Sequence, residues 1–319
     1  VRIRPPFGRI TAEQAKAIAS ASETHGNGII DLSARANLQL RGVTDASHGP
    51  LIDDLRAQGL IDPDIETESL RNLIVTPFRD SETSTHAATL TAALARMPKL
   101  PGKFGFALDT GPRPVLAGAS VDIRVERTAD GTLILRPEGF PLGQPVTDLG
   151  ADAIAMAEWF VAKGGIVNGR GRMAALVARG ITPPGCTFAP AEPLPTPEPG
   201  LHPDGALVAL AFGQMRAGIL ADLAALGHEI RPTPWRILLV VGARTLPAIT
   251  GLITDPTDPI LRLTACTGAP ACPQALGETR QLARRLAPQL APGQTLHISG
   301  CAKGCAHPGA APLTLTDRK

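Results

Sequence analysis

Four stretches in the second half of this sequence repeat, in the same order, patterns from the first half. A chain built that way is constrained to fold as two copies of one α+β unit. LVALAFGQMRAGILADLAAL at 207–226 has the order strand, glycine, helix of VRIRPPFGRITAEQAKAIAS at 1–20, with Gly213 opposite Gly8. WRILLVVG at 235–242 matches NLQLRGV at 37–43, and Gly242 coincides with Gly42. ILRLTAC at 260–266 answers LRNLIVTP at 70–77, and TLHISG at 295–300 answers KFGFALDTG at 103–111. The separations are about 190 to 205 residues. One such pair can arise by chance; four in the same order argue for duplication, and place equivalent strand ends of both halves around a shared cleft.

Local signals fill in the unit. Thr11 and Gln14 form a capping box that opens a helix through about Ser22. Strands are expected at 29–32, 38–41, 73–75 and 104–108, helices near 47–58, 82–96 and 147–163, and a hairpin turn at Asp130-Gly131. Residues 182–203 hold eight prolines, so this stretch is expected to be a linker without regular structure. The expected division is a first half at 1–181 carrying the Arg/Lys side, the linker at 182–203, and a second half at 204–319 carrying the cysteines.

Composition excludes several classes. With 31 Lys and Arg against 29 Asp and Glu the net charge is +2, too weak a field for a nucleic-acid or membrane-surface partner; any anion site must be local. No apolar run approaches the roughly 20 residues of a membrane span, and the first residues lack the order of a secretory signal, so a cytoplasmic protein is expected. The chain opens at Val1 inside a strand-like stretch, as a sequence lacking some of its terminal residues would. GGIVNGRGR at 164–172 follows a helix rather than a strand and lacks the Walker lysine, which argues against a phosphate cradle.

Of five cysteines, four cluster near the end of the chain: Cys266 and Cys272 separated by five residues, Cys301 and Cys305 by three. The five-residue gap fits structural zinc poorly. Thiolates also hold four-iron clusters, which accept wider spacing. Gly268, Pro270, Pro273, Gly300 and Gly304 permit tight turns that leave backbone amides free to face sulfur. Structural thiols and zinc are the competing readings. Cys186, isolated at the linker, reads as an incidental thiol.

This C-x5-C and C-x3-C pattern resembles that of the sulfite and nitrite reductase superfamily, and SGCAKGCAHP at 299–308 resembles more narrowly its precorrin-3B synthase branch. The resemblance implies an α+β fold of the duplicated sulfite/nitrite reductase type, with ferredoxin-like half-domains around a central tetrapyrrole cleft. It implies that Cys266, Cys272, Cys301 and Cys305 bind a 4Fe-4S cluster, with Cys305 nearest the tetrapyrrole. ARANLQLRG at 34–42 resembles the strand that supplies an arginine to the tetrapyrrole, which points to Arg35. LRNLIVTP places Arg71 and Asn72 at another family position, and LPGKFGF resembles the Pro-x-Lys-Phe-Lys strand, where Lys103 matches the first lysine and Gly105 replaces the second. Arg71 and Lys103 are the implied catalytic candidates, and Arg4, Arg35, Arg71, Asn72 and Lys103 the implied substrate-binding residues.

For the precorrin-3B synthase branch the implied substrates are precorrin-3A, which carries eight carboxylate side chains, and dioxygen. The implied product is the hydroxylated γ-lactone precorrin-3B of aerobic cobalamin biosynthesis. The implied metals are the 4Fe-4S cluster and a mononuclear non-haem iron, and an external donor, an NADH-linked reductase or a ferredoxin, would supply electrons. The alternative is a sirohaem-dependent sulfite or nitrite reductase, which Gly105 weakens because oxyanion reduction needs dense positive charge over the metal. A third reading, an iron-sulfur electron carrier, leaves the arginine-bearing first half without a purpose.

Arginine suits such a ligand because its planar guanidinium grips a carboxylate through two parallel hydrogen bonds. Arg2, Arg4, Arg9 and Arg41 join Arg35 and Arg71 as candidates, although a solvated surface role is the default for any one of them. His297 and His307 flank the last cysteines; each is expected to hydrogen-bond a carbonyl or a cluster sulfur rather than to ligate the iron. No 2-His-1-carboxylate triad is readable, so the iron ligands stay open.

Overall fold

A computed structural model describes residues 1–62, 64, 68, 71–306 and 313–316. The first sheet has the order β1-β3-β2-β11, from β1 (Arg2–Ile3), β2 (Ile29–Leu32), β3 (Leu38–Leu40) and β11 (Gln214–Arg216). The second orders β12 (Ile230–Pro232), β13 (Ile237–Val241), β10 (Gly205–Leu210) and β14 (Leu252–Ile253), with β9 (Gly200–His202) also paired to β10. Helix α1 (Ala12–His25) opens on the Thr11/Gln14 capping box and packs against α6 (Ala217–Ala225). Ile3, Ile18, Ile30 and Leu38 meet Leu220, Leu223, Leu238 and Val240 in one core between these elements. Each repeat also lends a segment to the other: Met215 of β11 pairs with Ile30, and Ile10 bridges reciprocally to Ile230.

The internal correspondence reaches the backbone angles. Phe7 and Phe212 take positive φ of 53° and 59°, followed by Gly8 and Gly213 at 66° and 69°. A left-handed phenylalanine is sterically costly, so its presence at matched positions marks the same turn built twice.

The other sheet pair shows the same matching. β4 (Leu73–Val75), β5 (Phe106–Leu108) and β6 (Ile123–Arg127) run parallel, and β7 (Leu133–Pro137) and β8 (Gln144–Pro145) extend them antiparallel. The counterpart is the parallel trio β15 (Leu263–Ala265), β16 (Leu296–Ser299) and β17 (Thr314–Thr316). Thr76 N–H donates to Leu108 O just past β4, and Cys266 N–H donates to Ile298 O just past β15. Helices α3 (Ser81–Leu94) and α4 (Leu149–Ala162) cover the first of these sheets through Leu90, Met156 and Phe160. Helix α7 (Thr279–Leu286) covers the second through Ala283. Helices α2 (Asp45–Ala57) and α5 (Met173–Val177) are further helices among the described residues.

The proline-rich stretch is not free of structure. Its last residues form β9 on the second sheet, while Phe188 bridges to Gly143 and Ala191 N–H donates to Arg127 O, so the part before β9 is laid along the β4–β8 sheet. Cys186 packs in the core under that sheet, where burial pushes its thiol up to about 11. Among the described residues no helix is long and apolar enough to cross a membrane.

One buried carboxyl gives a pH dependence. Asp109, at the end of β5, accepts from the backbone N–H groups of Val115 and Leu116 at 2.7 and 2.6 Å, yet burial pushes it up to about 6. The folded state therefore holds this proton more tightly than the unfolded chain, whose aspartate titrates near 3.9. Its contribution, about 3 kcal/mol, is present below pH ~4 and lost as pH rises through ~6. Denaturant titrations of Asp109→Asn and the parent between those pH values should show that part of the slope missing from the variant; parallel curves would refute it.

Candidate active site and cysteine loops

Strand register builds the floor of a cleft. Arg2 lies opposite Gln39, Gln39 opposite Asp31 and Asp31 opposite Gln214, so one polar row crosses all four strands of the first sheet. The alternate residues Ile3, Leu38 and Ile30 face the core, as the two-residue period requires. The matching face of the second sheet carries Leu207, Leu239 and Ile237, buried under Trp235 and Leu261. The duplicated unit thus keeps one polar face open and fills the other.

Asp31 organises the floor. Its Oδ2 lies 2.5 Å from Arg41 Nη2, its Oδ1 accepts from Gln214 Nε2 at 2.8 Å, and Arg280 Nη1 sits 3.7 Å from Oδ1. A cavity of about 350 Å³ opens over this group and is lined by Asp31, Arg41, Arg236, Arg280, Cys266 and Cys305 among others. Burial lowers the pKa of Arg236 and of Arg280, with a neighbouring arginine adding to the effect in each case and Asp31 opposing it at Arg280.

The cysteine loops are stitched together by backbone. Gly300 N–H donates to Cys266 Sγ at 3.2 Å, Leu276 N–H donates to Gly300 O, and Cys272 N–H donates to Gly268 O. Ser299 Oγ donates to Cys301 O at 2.6 Å. Gly268 has φ +71° and a Cβ there would lie 2.5 Å from Thr279 Oγ1; a Cβ on Gly300 would lie 2.7 Å from Ala275 Cβ. The glycine flanks therefore allow the two loops to close on each other. Among the described residues no three His, Cys, Asp or Glu side chains converge as a single-ion site. What fits a larger thiolate-held group is the donor set itself, an amide already aimed at one sulfur, and Cys266 and Cys305 opening on one cavity.

Of the residues expected in the first half, Arg35, Arg71 and Asn72 line one recess with Gly105. Arg35 Nη2 donates to Lys103 O at 2.8 Å, and burial, then the nearby Arg172, holds its pKa below the usual guanidinium range. A Cβ at Gly105 would lie 3.0 Å from Asn72 O and 3.7 Å from Arg35 Nη1, so the Arg35 guanidinium stands beside the space a side chain would need. Lys103 is exposed and meets this group through its carbonyl. Arg71 is held by Asp62 at 2.8 Å and Glu68 at 2.7 Å, and Arg4 reaches the same Glu68 at 2.8 Å. His297 is buried on β16 with Nδ1 3.4 Å from Thr314 Oγ1; His307 lies outside the described residues.

Sequence reasoning passed over Asp31, Gln214, Arg236 and Arg280. One local signal existed for Arg280: a cation in the first turn of a helix opposes the helix dipole and so needs another reason to be there.

A precorrin-3B synthase from Sinorhizobium sp is 33% identical over 355 aligned residues, covering 99% of this chain and 76% of that protein. The chain belongs to the precorrin-3B synthase family. Residues 1–58 match the family described as nitrite/sulfite reductase ferredoxin-like half domain. Over 79 residues, 24% of this chain and 14% of the relative, it is 36% identical to a chloroplastic ferredoxin–nitrite reductase of Zea mays. The Mycobacterium tuberculosis NirA protein superposes with a TM-score of 0.62 at 20% identity, covering 96% of this chain and 68% of NirA, so family membership and the reductase-type α+β fold agree.

Proposed function

We infer that this chain is a precorrin-3B synthase, an oxidoreductase of aerobic cobalamin biosynthesis that converts precorrin-3A to the hydroxylated γ-lactone precorrin-3B with dioxygen. The observation that carries the reading is the 33% identity extending over 99% of the chain. The arginine-lined cleft supports it, because it offers a polycarboxylate ligand several guanidiniums in a protein of near-neutral net charge.

In this reading Cys266, Cys272, Cys301 and Cys305 hold a 4Fe-4S cluster. The metals when bound, this cluster and a mononuclear non-haem iron, supply one-electron transfer and dioxygen chemistry. The chain's own residues bind and orient the tetrapyrrole. Arg35 and Asn72 take carboxylates from the recess side, and Arg2 and Arg41 take them along the sheet floor. Asp62 and Glu68 hold Arg71 in place before substrate arrives, so little side-chain entropy is lost on binding. Lys103 stands exposed near Arg35, a place from which its ammonium can reach an outer carboxylate. Electrons come from an external reductase or ferredoxin. Thiolates of this kind suit the reducing cytoplasm, where we place the enzyme. Gly105, in place of a lysine, argues against a sirohaem-dependent reductase, since one missing cation over a developing oxyanion costs about 2.7 to 4 kcal/mol.

The test is spectroscopic and then by titration. Anaerobically purified protein should show a broad cluster shoulder, and added precorrin-3A should bind. Arg35→Ala should weaken that binding by tens to thousands of fold, from about 2 to 5 kcal/mol for a desolvated guanidinium–carboxylate pair broken on one side. A strong Soret band from bound sirohaem, with no precorrin binding, would overturn the assignment.

A further inference from the structure

Arg280 is the cation that the cleft explains least. It sits in the first turn of α7, against the helix dipole, with 14% of its side chain exposed. Among the described residues its Nε–H is buried without a hydrogen-bond acceptor, and the carboxylate oxygen paired with it, Asp31 Oδ1, stands at 3.7 Å, too long for a close ion pair. Asp31 is already engaged by Arg41 at 2.5 Å and by Gln214 at 2.8 Å. Arg280 shares the cavity with Cys266 and Cys305, and Thr279, the residue before it, donates to Cys266 O at 2.7 Å. The helix end that carries this guanidinium is thereby pinned to the first cysteine loop.

We propose that Arg280 sets the reduction potential of the cluster held by the four cysteines, as a charge-positioning residue with Asp31 as its counterweight. This rests on the cluster reading above. Reduction adds one negative charge to the cluster, and a cation kept close in a partly dry cavity stabilises the reduced form. The charged groups facing it are Arg41, Arg236 and Arg284 on the same side of the balance, and Asp31 and the Cys266 thiolate on the other. Removing Arg280 therefore makes the cluster harder to reduce, and removing the charge of Asp31 makes it easier.

The test is an EPR-monitored redox titration of the substrate-free holoprotein. Arg280→Gln should lower the reduced-to-oxidised ratio at a fixed potential about tenfold, a shift of about 59 mV to more negative values for one electron. Asp31→Asn should shift the potential the other way, and Arg280→Lys should stay near the parent. Opposite signs from two neighbouring substitutions are what charge produces and a general loosening does not. An intact signal at unchanged potential in Arg280→Gln overturns the inference while leaving the cluster in place. If Arg280→Gln fails to fold, a potential that does not rise in Asp31→Asn overturns it. Parent protein that holds no iron-sulfur cluster overturns the underlying reading and this inference with it.

Discussion

Cys266→Ala is expected to abolish the EPR signal of the reduced cluster and most of the bound iron. Cys266 follows β15, its N–H donates to Ile298 O, and its Sγ accepts from Gly300 N–H at 3.2 Å, so this thiolate is fixed by both cysteine loops at once. Alanine keeps the backbone pairing but removes the acceptor for that amide and, under the proposed cluster assignment, one of the four ligands. Metal-binding free energy is folding free energy for such loops, so the closed arrangement around Gly268 and Gly300 should loosen as well. Cys186→Ala is the matched control: that thiol packs in the core under the five-stranded sheet, away from the loops, and its loss should leave signal and iron unchanged. Unaltered iron and signal in Cys266→Ala would remove the cysteine assignment.

Asp122→Ala is expected to cost about 3 kcal/mol of stability, the lower end of the 3 to 5 found when a buried ion pair loses one partner. Asp122 is fully buried and accepts from Gly105 N–H at 3.0 Å, Met173 N–H at 2.8 Å and Arg172 Nε at 2.9 Å. The two amides are left without their acceptor. Arg172 is 34% exposed and can turn to water, which keeps the loss at the lower end. Thermal unfolding should move down by roughly 6 to 12 °C at the usual 2 to 4 °C per kcal/mol. Because Gly105 and Arg35 line the same recess, precorrin affinity should fall with it. A midpoint within about 2 °C of the parent would show that the recess wall is held by other contacts.

The repeated turns were readable because they depend on local chemistry. A glycine at 8 and at 213, or at 42 and at 242, adopts positive φ in both copies, and no distant contact is needed to anticipate it. Helix α1 was readable from Thr11 and Gln14 for the same reason, although it continues to His25. The stretch at 182–203 was misjudged in one respect: its prolines do prevent a helix, but its free backbone groups still find partners on Arg127, Pro114 and Gly143. Asp31 and Gln214 escaped notice because they meet only through the exchange of β11 into the first sheet, 183 residues away in sequence. Arg71 and Arg4 were legible as cations but not as cations already held by Asp62 and Glu68, since strand and helix periods do not report such pairs.

The most direct measurement is product analysis after incubating the reduced holoprotein with precorrin-3A under isotopically labelled dioxygen. The expected product is a hydroxylated lactone whose mass carries one labelled oxygen atom, with no such product under anaerobic conditions. A product that forms equally well without dioxygen, or rapid sulfite or nitrite turnover by a sirohaem-loaded protein, would contradict it.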